Sequence, residues 1–120
     1  MTIETISDNA LKAVMPAKLG ASDVSQLAQS MDGLIDKSGR IRVLFDLSNF
    51  GGWENMEALG AHMDQLKFLH ERIQHIDRIA VVAGYPWQHQ MFSWISSVVH
   101  TQARVFDKGQ DAAATEWLVQ

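Results

Sequence analysis

The stretch Arg40–Glu54, RIRVLFDLSNFGGWE, decides how this chain is built. Ile41 to Leu47 is apolar apart from Arg42 and Asp46, with Val43 and Phe45 at its centre. A short run of that kind predicts a strand buried on both faces. Ser48, Asn49, Gly51 and Gly52 then break the run, and Glu54 with Glu57 sets acidic residues where a helix would begin, at its positive end. A buried strand passing through a glycine turn into a helix is the building unit of an α/β fold.

Working outward from that stretch, the neighbouring segments repeat the unit. Ile3 and Ile6 mark a first strand and Ala10–Met15 a second, with an Asp8-Asn9 turn between them. Pro16 ends the second strand or places it at an edge. Ser22 is the expected N-cap of a first helix running to about Lys37, with Val24, Leu27, Met31, Leu34 and Ile35 at helical spacing. Ser38-Gly39 stops it. After the turn, a second helix is expected from Glu54 to about Gln74. Its apolar residues Met56, Leu59, Met63, Leu66, Leu69 and Ile73 fall within an arc of about 140°. Arg78–Ala83 reads as a further strand, and Pro86 begins a third helix running to about Val99. Ala103–Phe106 is a last strand and Asp111–Val119 a last helix, anchored by Trp117 and Leu118. The order β-β-α-β-α-β-α-β-α predicts one mixed sheet, mostly parallel after an antiparallel opening pair, in a single domain over 1–120.

Bulk properties exclude several functions. The chain has 120 residues, no cysteine and a net charge of −4. Without cysteine there is no disulfide framework, thiolate metal site or cysteine nucleophile. The negative balance, with basic residues scattered singly, argues against a nucleic-acid partner. The opening MTIETISDNA has no basic segment followed by an apolar one, so a cytoplasmic location is expected.

The sequence resembles the SpoIIAA-like family of the STAS superfamily, the domains grouped as STAS/CRAL-TRIO-like. The resemblance is carried by RIRVLFDLSNF followed by GGW, by RIAVVAGYPW, and by the closing ARVFDKGQDAAATEWL, in the family's order and over most of the chain. It implies a sheet of about five strands with four helices packed against it. The anti-sigma-factor antagonists of that superfamily carry a phosphorylatable serine at the start of the helix after the corresponding strand. Here Asp46-Leu47-Ser48 is followed by Asn49-Phe50-Gly51-Gly52-Trp53, and no serine or threonine follows Ser48 until Ser93. Ser48 sits at the strand end, so the phosphoserine role is not carried onto it.

Candidate chemistry is sparse. On a helix His75 lies about 140° round from His70, and His62 is about two turns away, roughly 12 Å, so a zinc site is not expected. Asn49–Trp53 could present N–H groups to an anion, but it has no lysine nearby and has Glu54 and Glu57 beside it. No Gly-x-Ser-x-Gly elbow supports nucleophilic catalysis. An enzyme is therefore not expected, nor a cofactor. What stands out is the absence of Asp, Glu, Lys and Arg between Arg78 and Arg104. Within it Trp87, Met91, Phe92, Trp94, Ile95, Val98 and Val99 span a helical arc of about 160°, opposite Ser93, Ser96 and Ser97.

Two readings follow. The first is a non-enzymatic module binding a small apolar or lipid-like ligand, or touching a membrane surface, through Trp53, Met56, Met63, Trp87, Met91, Phe92, Trp94 and Ile95. CRAL-TRIO-like relatives, which hold lipids under mobile helices, support it. The alternative is a regulatory module of the anti-sigma-antagonist type that binds a protein through the Ser48–Trp53 turn without phosphorylation. A second copy of the chain is a further partner to consider.

Overall fold

The computed structural model describes residues 1–50, 52–53, 71–84 and 102–120. Its strands are β1 (Thr2–Ser7), β2 (Ala10–Val14), β3 (Lys18–Leu19), β4 (Ile41–Leu47), β5 (Gly52–Trp53), β6 (Ile76–Ala83) and β7 (Gln102–Asp107). Two helices accompany them, α1 (Ala21–Ser38) and α2 (Asp111–Val119). The other two expected helices fall almost wholly outside the described residues. Only Glu71 and Arg72 are described as helical there, and they lead through a 3-10 turn, Ile73–His75, into β6.

Five strands form one sheet in the order β1-β2-β4-β6-β7. β1 and β2 are antiparallel, and every later pairing is parallel. The strand read first in the sequence is the middle one. It pairs with β2 (Leu11↔Val43, Ala13↔Phe45) and with β6 (Val43↔Ile79, Phe45↔Val81).

Alternate side chains of these strands feed two separate cores, which is why β4 is apolar almost throughout. On one face Leu11, Ala13, Val43, Phe45, Ile79 and Val81 pack with Leu27 and Met31 of α1. On the other, Ala10, Leu44, Ala80, Val82 and Phe106 pack with Ala114 and Leu118 of α2. Burying a side chain the size of Val43 is worth about 1.5–3 kcal/mol, and this strand contributes several such residues.

The helix limits follow local chemistry. α1 does not begin at Ser22: its N-cap is Gly20, and the Asp23 carboxylate reaches back to accept the Gly20 N–H at 3.0 Å. That contact satisfies an N–H at the helix entrance that a serine cap would leave to water. At the other end Gly39 adopts φ 80 and its N–H bonds to Ile35 O at 2.7 Å, as a left-handed closing residue does. β2 stops at Val14, just before Met15 and Pro16, although Met15 N–H still reaches Asp46 O at 3.0 Å. A second, two-stranded sheet joins β3 to β5 in parallel, Lys18↔Gly52 and Leu19↔Trp53. Gly52, read from the sequence as part of the turn, lies in that small sheet.

Candidate interaction site at the carboxyl end of the sheet

β4 ends in Asp46-Leu47-Ser48, and the exits of β2 and β6 lie against it. Asp46 is the one buried charged residue among those described, 6% exposed, on the α2 side of the sheet by alternation from Leu44. Its Oδ1 accepts the Ser48 N–H at 3.0 Å and also the Ser48 hydroxyl, in a short bond. An aspartate bonding the backbone N–H two residues on is an Asx turn, and it bends the chain out of the strand. Phe50 N–H then bonds Leu47 O at 3.1 Å, and the Phe50 ring returns to the α1-side core, 3% exposed. Between these anchors Asn49 is exposed.

The exit of β6 presses on the same point. A Cβ at Gly84 would lie 2.8 Å from Ser48 O and 3.0 Å from Ser48 Cα, so only glycine lets the two backbones approach this closely. The exit of β7 is a turn closed twice. Gln110 N–H bonds Asp107 O at 3.0 Å, and Asp107 N–H bonds Gln110 Oε1 at 3.0 Å.

This arrangement holds a turn in shape. The Ser48 hydroxyl donates inward, to Asp46. His75, the one histidine among the described residues, precedes β6 at the opposite end of the sheet. No group of three or more metal-ligating side chains occurs among the described residues. The parallel strands are also added in one direction only, β2 to β4 to β6 to β7, so among the described strands there is no reversal of winding to open a ligand crevice.

Of the residues read from the sequence as ligand contacts, Trp53 is described only as the second residue of β5. Met56, Met63, Trp87, Met91, Phe92, Trp94 and Ile95 lie outside the described residues. Sequence reading missed Asp46 as the organiser of the turn and Gly84 as its close neighbour. Both left a signal: Asp46 is the one acid within Ile41–Leu47, and Gly84 the break after RIAVVA.

The model of the SpoIIAA-like family matches residues 11–119, a span that includes this turn and all the buried core residues except Ala10. The chain belongs to the SpoIIAA-like family. Among solved structures it is similar to an uncharacterised protein of the DUF3478 family, with a SpoIIAA-like fold, from Shewanella loihica. Identity is 22% and the TM-score 0.71, covering 98% of this chain and 90% of that one. It is also similar to the Bacillus cell-fate determinant SpoIIAA in its phosphorylated form, at 10% identity and a TM-score of 0.59, covering 97% of each chain. No curated protein matches. These likenesses establish the family's mixed α/β fold for this chain. No helix among the described residues is long and apolar enough to cross a membrane.

Proposed function

We infer that this SpoIIAA-like protein is a non-enzymatic regulatory module, one domain over 1–120, that binds another protein through the turn from Ser48 to Trp53. The observation that carries this reading is the capture of Ser48 by Asp46. A phosphate on that hydroxyl would set two further negative charges against a buried carboxylate, at a large desolvation and repulsion cost. The turn therefore serves as a fixed shape and not as a phosphorylation switch. Family membership supports the regulatory class, and the exposed Asn49 between two buried anchors supports the place.

A photo-crosslinking residue placed at Asn49, and in parallel at the exposed Glu4 of β1, tests this in the native host. One defined protein trapped at Asn49 and not at Glu4 is expected. Equal trapping at both positions, or stoichiometric phosphate on Ser48, would remove the reading.

The charge-free stretch between Arg78 and Arg104 favours a second reading, in which Trp87, Met91, Phe92, Trp94 and Ile95, with Trp53, Met56 and Met63, contact an apolar ligand or a membrane surface. Native mass spectrometry showing a co-purified small molecule that Phe92→Ala loses would put this reading ahead. A protein that purifies empty and ignores neutral vesicles would dismiss it.

A further inference from the structure

α2 is a short helix, seated on the sheet through buried Ala114 and Leu118 and tied at its first turn by Asp111 to Lys12 of β2, 3.6 Å away. It has nine residues, fewer than the roughly 12–15 an isolated helix needs to persist in water. Ala114 and Leu118 are buried and Trp117 half-buried, while Ala112, Ala113, Glu116 and Val119 face solvent. Its N-cap, Gln110, makes no side-chain cap bond. The Thr115 hydroxyl turns back onto Asp111 O at 2.9 Å, a bond that slightly loosens a helix.

The negative end of α2 has no basic residue in its own last turn, and the sheet supplies the positive charge. Arg42 Nη1 donates to Leu118 O at 2.8 Å, and Arg78 Nη1 to Trp117 O at 2.7 Å. The Arg78 guanidinium also lies over the Trp117 ring, 5.3 Å from its centroid. Arg42 and Arg78 are direct partners in the β4–β6 register, so two like charges stand side by side, and Arg42 Nε is buried without a hydrogen-bond partner. Repulsion and an unsatisfied donor weaken this attachment. The chain enters α2 through Gly109 at φ 94, in the turn that Asp107 and Gln110 close.

We propose that α2 is a releasable strap. It opens as a unit while the five-stranded sheet stays folded, and its release uncovers the Arg42–Arg78 pair beside Leu44, Ala80 and Val82. Nothing in this depends on the partner reading of the Ser48 turn.

Hydrogen exchange of the full chain, followed by mass spectrometry at neutral pH, tests it. Amides of 111–119 are expected to exchange at least about tenfold faster than those of β4 and β6, through local opening. Ala113→Gly weakens α2 at an exposed position, touching nothing in the sheet. It should raise exchange in 111–119 about fivefold and leave β4 and β6 unchanged. Arg42→Gln, which removes the Leu118 bond, should act in the same direction if it folds. Equal protection of α2, β4 and β6, with Ala113→Gly speeding all three alike, would make α2 an inseparable part of the core and overturn the proposal.

Discussion

Gly33 and Gly84 show how surroundings decide what one missing Cβ means. Gly33 is exposed within α1, and a Cβ there would meet nothing within 4 Å. Gly33→Ala should therefore stabilise the fold by about 0.5–1 kcal/mol, the ordinary gain of alanine over glycine in a helix. At Gly84 the same Cβ would strike the Ser48 backbone at 2.8 Å, in a strand exit that cannot easily move. Gly84→Ala should cost about 1–3 kcal/mol and loosen the Asp46–Ser48 turn. Paired denaturant curves read both changes. Equal shifts of the same sign would show that the close approach does not constrain the turn. The sequence marks Gly84 as a break after RIAVVA, but the Ser48 backbone it lies against is 36 residues away and leaves no local sign. The Arg42 contact was hidden for a related reason. An arginine in a buried strand is easy to see, but the carbonyl it serves lies 76 residues away.

Elements were legible where turn residues bracket them, and less so where a single contact sets the boundary. β4 and α2 occupy the residues their patterns predict, Ile41–Leu47 and Asp111–Val119. The start of α1 differs by two residues because one carboxylate, Asp23, outweighs the serine before it. The β3–β5 pairing could not be read at all, since two-residue strands carry no pattern. α1 has a further tie, from Asp32 to Arg72. Arg72 Nε donates to Oδ1 at 2.7 Å and Nη2 to Oδ2 at 2.9 Å, a two-pronged pair. Hydrogen bonding from Arg72 holds the Asp32 carboxyl below its ordinary value of 3.8; partial burial opposes this, and the charge of Arg72 adds to it. Asp32 is half exposed, so screening keeps the pair to less than about 1 kcal/mol. The sign is fixed even so. A carboxyl with a lowered folded-state pKa stabilises fully above the unfolded value, and that contribution fades as pH falls through the folded value. Asp32→Asn should lower the melting temperature slightly at pH 7, and the difference should shrink as pH falls below the ordinary carboxylate value of 3.8. A difference that persists unchanged in acid would mean that asparagine harms the helix for another reason.

At the scale of the whole molecule, two cores share one wall, and β4 is in the middle of it. Val43 is fully buried, so Val43→Asp places an unpaired carboxylate in the α1-side core. The cost is several kcal/mol against a total stability of about 5–15 kcal/mol, and the variant should be lost from the soluble fraction. A well-expressed variant melting within a few degrees of the parent would show that β4 is peripheral. The fold was legible because an α/β repeat writes itself into strand and helix lengths, and the family through its resemblance in RIRVLFDLSNF, RIAVVAGYPW and ARVFDKGQDAAATEWL. The proposed site was less so, because the held turn depends on Asp46, Ser48 and Gly84 meeting across strands. Strand order has one more consequence, at the ribosome. Along the sheet the strands run β1, β2, β4, β6, β7, the same order in which they are synthesised. Each new strand can join a free edge already in place, and none has to wedge between two paired neighbours. At about 5–20 residues per second the bare flank of β4 waits on the order of seconds for β6, and that interval is when the nascent chain most needs shielding.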